Sequence, residues 1–322
     1  MSNYKKISDR IDELKIDNPR NENSGLRWLN IVNAGKQEIN YLRKNYNFDL
    51  GHLRSIAASV LSQRPLIFRG QQYLFLILHF PSVNDEGRVV SGEVDFFVGH
   101  NFLITVHNNN LPALGHFFNH GKKDPDSLLS FSSESSAVLL YEILGRLIDD
   151  CYRLLDDNSL EIKKVEDLIF SGVQKKAVEK ILLLRRNIIN IRKIMQNHKN
   201  ILKELTKMDS SLVDQKAIKK YYESLVEDSK RLWETLDNQK EMIEVLNNTN
   251  ESLLNDQMNS IMKTLTIFSV IVFPLTLLAA IFGMNAVNMP FVNHKFGFWI
   301  IIGIMLVGSF FMLMFFKRKK WL

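Results

Sequence analysis

A single cysteine, Cys151, is present among 322 residues. No intrachain disulfide is available, which fits a reducing compartment and excludes a disulfide-stapled secreted scaffold. The stretch Met1 to Asp17 is polar and charged and has no apolar signal-peptide core, so membrane insertion falls to segments further on. Acidic residues are absent from Ile261 onward, where six Lys or Arg fall. The remainder of the chain carries 35 basic and 35 acidic residues, so the net charge of +6 belongs to the C-terminal end. That placement signals membrane topology and excludes a nucleic-acid footprint. No phosphate-cradling Gly loop, nucleophile motif or pair of catalytic carboxylates occurs. This argues against an enzyme and against an organic cofactor. From Ala217 onward Pro and Gly are missing until Pro274 and Gly283.

What is present in that region is apolar length. Leu265 to Met284 is a run of twenty residues without charge. Eleven mostly polar residues follow, Asn285 to Lys295, then an uncharged run of twenty-one, Phe296 to Phe316, closed by Lys317-Arg318-Lys319-Lys320. Each run is long enough to cross a bilayer core of about 30 Å as a helix. The basic cluster sets the C-terminus in the cytoplasm, and two spans return the N-terminal part to the same side, in agreement with Lys263. The reading is a multi-pass protein of the cell (inner) membrane, its partner the lipid bilayer, with both termini cytoplasmic.

The fold class expected is an α/β cytoplasmic domain followed by long stalk helices and two C-terminal transmembrane helices. The divisions are 1–125 for the α/β domain, 126–260 for the helical region and stalk, and 261–322 for the membrane domain, with spans at 265–284 and 296–316 around the loop 285–295. Gln37 to Tyr46 and Leu50 to Leu61 have helical spacing. Pro65 to Gly70, Tyr73 to Phe80, Val94 to Val98 and Asn101 to His107 read as strands, and Asn84 to Gly87 as a turn. Ser135 or Ser136 is placed to cap a helix over Ala137–Leu155, helical spacing continues from Val165 to Leu205, and Lys207 to Asp214 is a polar break. One helix from Ala217 to Met284 would be about 100 Å long at 1.5 Å per residue, too long for a monomeric core. Such a helix packs against copies of itself and enters the bilayer directly.

The chemistry concentrates on that helix. Asn248, Ser252, Asn255, Asn259, Met262, Thr266, Phe273, Thr276 and Asn285 lie roughly on one stripe, with Leu265 beside it. A small, strongly hydrated cation holds its waters tightly, so a filter for such an ion would offer neutral oxygens to the hydrated complex. Copies of Asn285 around an axis would form such a ring of acceptors, Gly283 lets the backbone approach and turn, and Met284 packs between subunits. Rings of Met262, Leu265 and Phe273 would gate by dewetting, with hydroxyl rings from Thr266 and Thr276 between them. The bland reading of the triplet is a Gly-terminated helix followed by a polar loop residue.

Two spans, a short loop with Gly283-Met284-Asn285 at its mouth and a large charged domain in front resemble the CorA family of divalent-metal transporters. Met262-Lys263-Thr264-Leu265-Thr266-Ile267 and Phe273-Pro274-Leu275-Thr276 look like that family's first membrane helix, and the strand pair before Leu111-Pro112-Ala113-Leu114 is similar to its cytoplasmic domain. The resemblance implies a homopentamer, divalent cations as partners, Mg²⁺ as substrate with Co²⁺ and Ni²⁺ beside it, and Gly283, Met284 and Asn285 as the selectivity filter. It implies Asn259, Met262, Leu265, Phe273 and Thr276 as pore residues and a fixed bend at Pro274. It also implies Mg²⁺ as regulator between cytoplasmic domains. There Glu223, Glu227 and Asp228 are the nearest carboxylates, the family's usual aspartate falling on Ser224. Three departures stand out. Asn248 replaces a carboxylate ring at the cytoplasmic mouth, Phe273 replaces Met at the middle constriction, and the loop carries Val287, Phe291 and Lys295 where acids are common. Two alternatives remain open: a zinc-transporting branch of the superfamily, and a membrane-tethered coiled-coil scaffold without transport. His107, His116 and His120 form a cluster compatible with zinc, and Asp149-Asp150 and Asp156-Asp157 read as solvated helix ends.

Overall fold

The computed structural model describes residues 4–16, 25–57, 65–70, 72–123, 135–207, 215–284, 290, 294–319 and 321. It forms two compact units, Met1–Leu246 and Asn247–Leu322. The first is built on seven strands: β1 (Tyr4–Lys6), β2 (Ile11–Ile16), β3 (Leu26–Val32), β4 (Leu66–Arg69), β5 (Tyr73–Val83), β6 (Val89–Gly99) and β7 (Phe102–His107). Their order is β1-β2-β3-β7-β6-β5-β4. Only β3 and β7 run parallel, Arg27 opposite Phe102; the other pairs are antiparallel.

Both faces of this sheet are covered, so its central strands are apolar throughout instead of alternating. Every residue from Tyr73 to Phe80 is buried, His79 included. One face packs beneath α1 (Lys36–Tyr46) and α2 (Leu50–Ala57), where the Phe48 ring stacks 4.4 Å from Phe97 and 4.6 Å from Tyr73. On the other, Trp28 meets Phe117 and Phe118 of α3 (Pro112–Lys123), at 5.4 and 4.9 Å. The Trp28 indole donates to Thr105 Oγ1, Thr105 donates to Asn30 Oδ1 at 2.8 Å, and His107 Nε2 reaches the same oxygen at 3.0 Å.

Helices α4 (Ser136–Phe170), α5 (Gln174–Met195) and α6 (His198–Lys207) complete the unit. Ser135 caps α4, its hydroxyl accepting from Val138 N. Asn187 of α5 clamps the β5–β6 hairpin: its Oδ1 accepts from Val89 N at 3.1 Å and its Nδ2 donates to Gly87 O at 2.9 Å. Two backbone groups of the hairpin, one at buried Val89 and one at exposed Gly87, find partners in one side chain. His198 of α6 donates Nε2 to the His79 carbonyl at 2.7 Å. That fixes the direction of the odd-numbered backbone groups of β5, away from β6, and Pro81 takes the place where a missing N–H costs no ladder bond.

The last helix of this unit is the front part of α7 (Gln215–Phe282). Tyr222, Leu225, Ser229, Leu232, Leu236, Gln239, Ile243 and Leu246 are buried, at alternating intervals of three and four. Tyr222 donates to Ala137 O at 2.8 Å, and Gln239 donates to Leu155 O at 2.7 Å, both on α4. Arg192 of α5 pairs with Asp237 and lies 4.9 Å over the Trp233 ring. The second unit contains the rest of α7 and α8 (Gly297–Arg318), both long and apolar enough to cross a membrane.

Several local expectations need correction. Strands β1, β2 and β3 were not anticipated, nor was helix α3. The helical spacing of Val165 to Leu205 is not one helix: α4 ends at Phe170, Gly172 takes φ +82°, and α5 starts at Gln174. Gly172 has no Cβ to oppose the left-handed conformation, and the chain reverses there. Asp149-Asp150 and Asp156-Asp157 lie inside α4, not at its ends. Residues 58–61 of the second expected helix and 208–214 of the polar break lie outside the described residues.

Burial pushes the imidazoles of His107 and His198 down to about 4. An unfolded chain takes up these two protons near pH 6.5. Between 6.5 and 4 the unfolded state therefore binds more protons, and stability falls as pH falls through this window. Asp95 acts in the opposite sense, since burial and then Glu93 raise its carboxyl well above the usual range. His52, lowered by partial burial, acts with the imidazoles, and Glu142 and Asp228, raised by partial burial, act with Asp95. With two deeply buried imidazoles against one deeply buried carboxyl, we expect the unfolding midpoint of the detergent-solubilised chain to drop from pH 7 to pH 4.5. His198→Gln should flatten that slope by about one proton; a slope indifferent to the substitution would discount the assignment.

Candidate functional site

The polar residues singled out on α7 occupy its second half. Asn248, Ser252, Asn255 and Asn259 are exposed, as are Met262, Leu265, Thr266, Phe273 and Thr276. Phe273 is 71% exposed, although it lies in the middle of an apolar helix. In water such a surface is untenable. Exposed Phe268, Leu277, Phe310 and Phe311 extend it around both apolar helices, as expected of segments solvated by lipid or by neighbouring helices.

The exposure is not uniform around α7. Ile267 is buried, and Ile271, Pro274, Leu275, Leu278 and Phe282 are partly shielded. At about 100° per residue these six lie on the side opposite to Met262, Thr266, Phe273 and Thr276, which share an arc of roughly 80°. The membrane part of α7 thus has a shielded face and an open face; the candidate residues are exposed on the open one, where Ser269 is partly shielded. Leu265 flanks that arc.

Hydroxyls on this helix have a common hydrogen-bonding state. Thr264 donates to Ser260 O at 2.9 Å, Thr266 to Met262 O at 2.8 Å, Ser269 to Leu265 O at 2.9 Å and Thr276 to Val272 O at 2.8 Å. With the proton committed to the carbonyl one turn back, each oxygen presents only lone pairs outward. The open face therefore offers acceptors for cations or for the protons of a cation's water shell. Pro274, within the helix, has no N–H for the Val270 carbonyl, leaving a further acceptor in the backbone.

At the far end the helix closes on Gly283, whose N–H donates to Ala279 O at 2.9 Å, while Met284 N–H reaches Ile281 O at 3.2 Å. Gly283 is not in the left-handed region that usual glycine helix ends adopt; among the described residues only Gly87 and Gly172 have positive φ for glycine. The constraint is steric instead: a Cβ at Gly283 would stand 3.1 Å from the Ala279 carbonyl oxygen. Met284 is exposed. Asn285, with Val287 and Phe291 of the loop, lies outside the described residues.

The carboxylates considered for regulation separate. Glu223 and Glu227 are exposed, Glu227 lying 3.9 Å from Lys230. Asp228 is half-buried against α4, its backbone carbonyl accepting from Tyr152 OH at 2.7 Å. Desolvation raises its carboxyl; Arg231 opposes this, and Asp149 and Glu227 add to it. The structure thus brings Asp149 to Asp228, a proximity between helices that no local pattern signals. Ser224, where an aspartate was looked for, donates to Tyr221 O. The histidine cluster dissolves: His107 has Nε2 on Asn30 and Nδ1 accepting from Asn109 N, and His116 is exposed on α3. No group of three or more potential metal ligands occurs among the described residues.

An α/β unit, a 68-residue helix that becomes apolar and acceptor-lined along one face, and a second apolar helix define a membrane protein built to pass or sense a polar species. The model of the CorA-like Mg2+ transporter protein family matches residues 23–318, and the chain belongs to that family. This is a family of transporters, not of enzymes. Curated relatives include the cobalt/magnesium transport protein CorA of Thermotoga maritima, 24% identical over 306 residues, covering 94% of this chain and 86% of that protein. Another is the cobalt/magnesium transport protein CorA of Methanocaldococcus jannaschii, 24% identical over 317 residues, covering 98% and 96%. The solved structure of the CorA magnesium transporter from M. jannaschii superposes with a TM-score of 0.81 at 23% identity, covering 92% of each chain, which shows the shared fold.

Proposed function

We propose that the protein carries divalent cations, Mg²⁺ first and Co²⁺ or Ni²⁺ beside it, across the cell (inner) membrane through a homopentameric pore lined by the open face of α7. The observation that carries this reading is the run of hydroxyl oxygens on that face, each turned into an acceptor by its own helix. A hydrated Mg²⁺ presents water protons outward and gives up its waters reluctantly. Acceptors without charge hold such a complex and still release it. Gly283, Met284 and Asn285 form the entrance filter, with the Asn285 amide oxygens as the narrowest ring. Phe273 is the dewetting constriction. The termini face the cytoplasm, and the membrane potential supplies about 2.3 kcal/mol per charge per 100 mV in the inward direction. Glu227 and Asp228, with Asp149 close by, are the groups through which cytoplasmic Mg²⁺ would act as regulator; Glu223 is less well placed.

Flux into proteoliposomes, followed for Mg²⁺, Zn²⁺, Co²⁺ and Ni²⁺, tests the function and separates it from a zinc transporter or a non-transporting scaffold. Asn285→Ala is expected to abolish flux while the detergent-corrected mass stays that of five chains. Wild-type flux in this variant would sink the filter assignment, and a monomer or dimer mass the pentamer.

The loop after Asn285 supplies no carboxylate to concentrate cations, and Lys295 repels them. Apparent affinity for external Mg²⁺ should accordingly be low. Val287→Glu combined with Phe291→Glu should raise uptake at low Mg²⁺, and more so at low ionic strength, because the Debye length shrinks to about 8 Å at physiological salt. Overlapping uptake curves at low salt would show that loop charge plays no part.

A further inference from the structure

The pore positions on α7 follow a regular interval. From Asn248 the steps to Ser252, Asn255, Asn259, Met262 and Thr266 are four, three, four, three and four; from Phe273 to Thr276 the step is three. Between Thr266 and Phe273 the interval is seven. The position that restores the alternation is Ser269. In the structure its hydroxyl donates to Leu265 O at 2.9 Å, the same state as Thr266 and Thr276. Its direction, at about 100° per residue, falls inside the arc shared by Met262 and Thr276, and away from buried Ile267.

We propose that Ser269 lines the ion pathway as a further acceptor ring, one turn to the cytoplasmic side of Phe273, and that it separates the dry Phe273 layer from the apolar rings of Leu265 and Met262. The inference rests on the pore reading given above. Ser269 and Thr276 bracket Phe273 at an axial separation of about 10 Å, seven residues at 1.5 Å each. A hydrated cation leaving the Thr276 oxygens would meet those of Ser269 directly after the ring. An alanine there would instead join Phe273 in a longer apolar stretch that dewets more readily.

Cysteine substitution tests this in the full chain, because its one native thiol, Cys151, is buried. Ser269→Cys, Thr266→Cys, Thr276→Cys and Ile271→Cys in proteoliposomes are treated with a membrane-impermeant quaternary-ammonium thiosulfonate, and Mg²⁺ flux is read before and after. The reagent is expected to block the first three, with excess Mg²⁺ slowing the block, and to leave Ile271→Cys unaffected. Block of Thr266→Cys and Thr276→Cys with Ser269→Cys untouched overturns the role of Ser269 and leaves the pore reading standing. Absence of wild-type flux removes the pore reading and this inference with it. Independently, Ser269→Ala should lower Mg²⁺ flux roughly fivefold, the worth of one hydrogen-bond acceptor, and Ser269→Thr should retain it; equal flux in Ala and wild type contradicts the proposal.

Discussion

In an apolar medium a helix must satisfy its own polar groups, and α7 shows what that does to side chains. Each hydroxyl between Thr264 and Thr276 gives its proton to the carbonyl one turn back. A free O–H in hydrocarbon would be costly, so the internal bond is the state in which these residues can be carried through a bilayer at all. The same bond decides their chemistry, because what remains outward is a lone pair. A helix that is comfortable in lipid is, on its hydroxyl-bearing face, an acceptor surface, and it is one without any charged residue in the span.

Helix α7 changes neighbours along its length, and its pattern accommodates both environments. Up to Leu246 its buried residues recur at intervals of three and four and contact α4. From Asn248 a second series with the same interval stays exposed. A repeat of seven residues falls short of two helical turns by about 20°, so both series drift slowly and favour left-handed winding around whatever they contact. The seven-stranded sheet secures the first half of this helix through α4, which lies across β6 and β7.

The candidate site could be drawn up from the sequence because it is linear. Every candidate from Asn248 to Thr276 sits on α7, with Gly283-Met284 directly after its last residue, and helical spacing alone sorts the helical ones onto one side. Ser269, the one hydroxyl between Thr266 and Thr276, was not singled out although the alternating interval points to it. The sheet was legible only where strands are wholly apolar, as in β5. Strand β3 was missed because Arg27 and Asn30 interrupt its apolar run. Asn30 is a core residue only by virtue of Thr105 and His107, which lie more than seventy positions downstream. Asn187 likewise looks like an ordinary helix residue until the hairpin it clamps is seen. The reversal at Gly172 did have a local sign, the Ser171-Gly172 dipeptide, masked by helical spacing on both sides.

One consequence concerns how copies of this chain can come together. Among the described residues strand β5 has no strand partner on its outer side beyond Ile77, which would ordinarily invite a foreign strand. That margin is shut: the His79 carbonyl is already taken by His198, and Pro81 has no N–H to donate. The two outermost strands, β1 and β4, are only three and four residues long. These edges offer an incoming strand little to pair with. A neighbouring copy would accordingly find helices easier to pack against than a sheet edge.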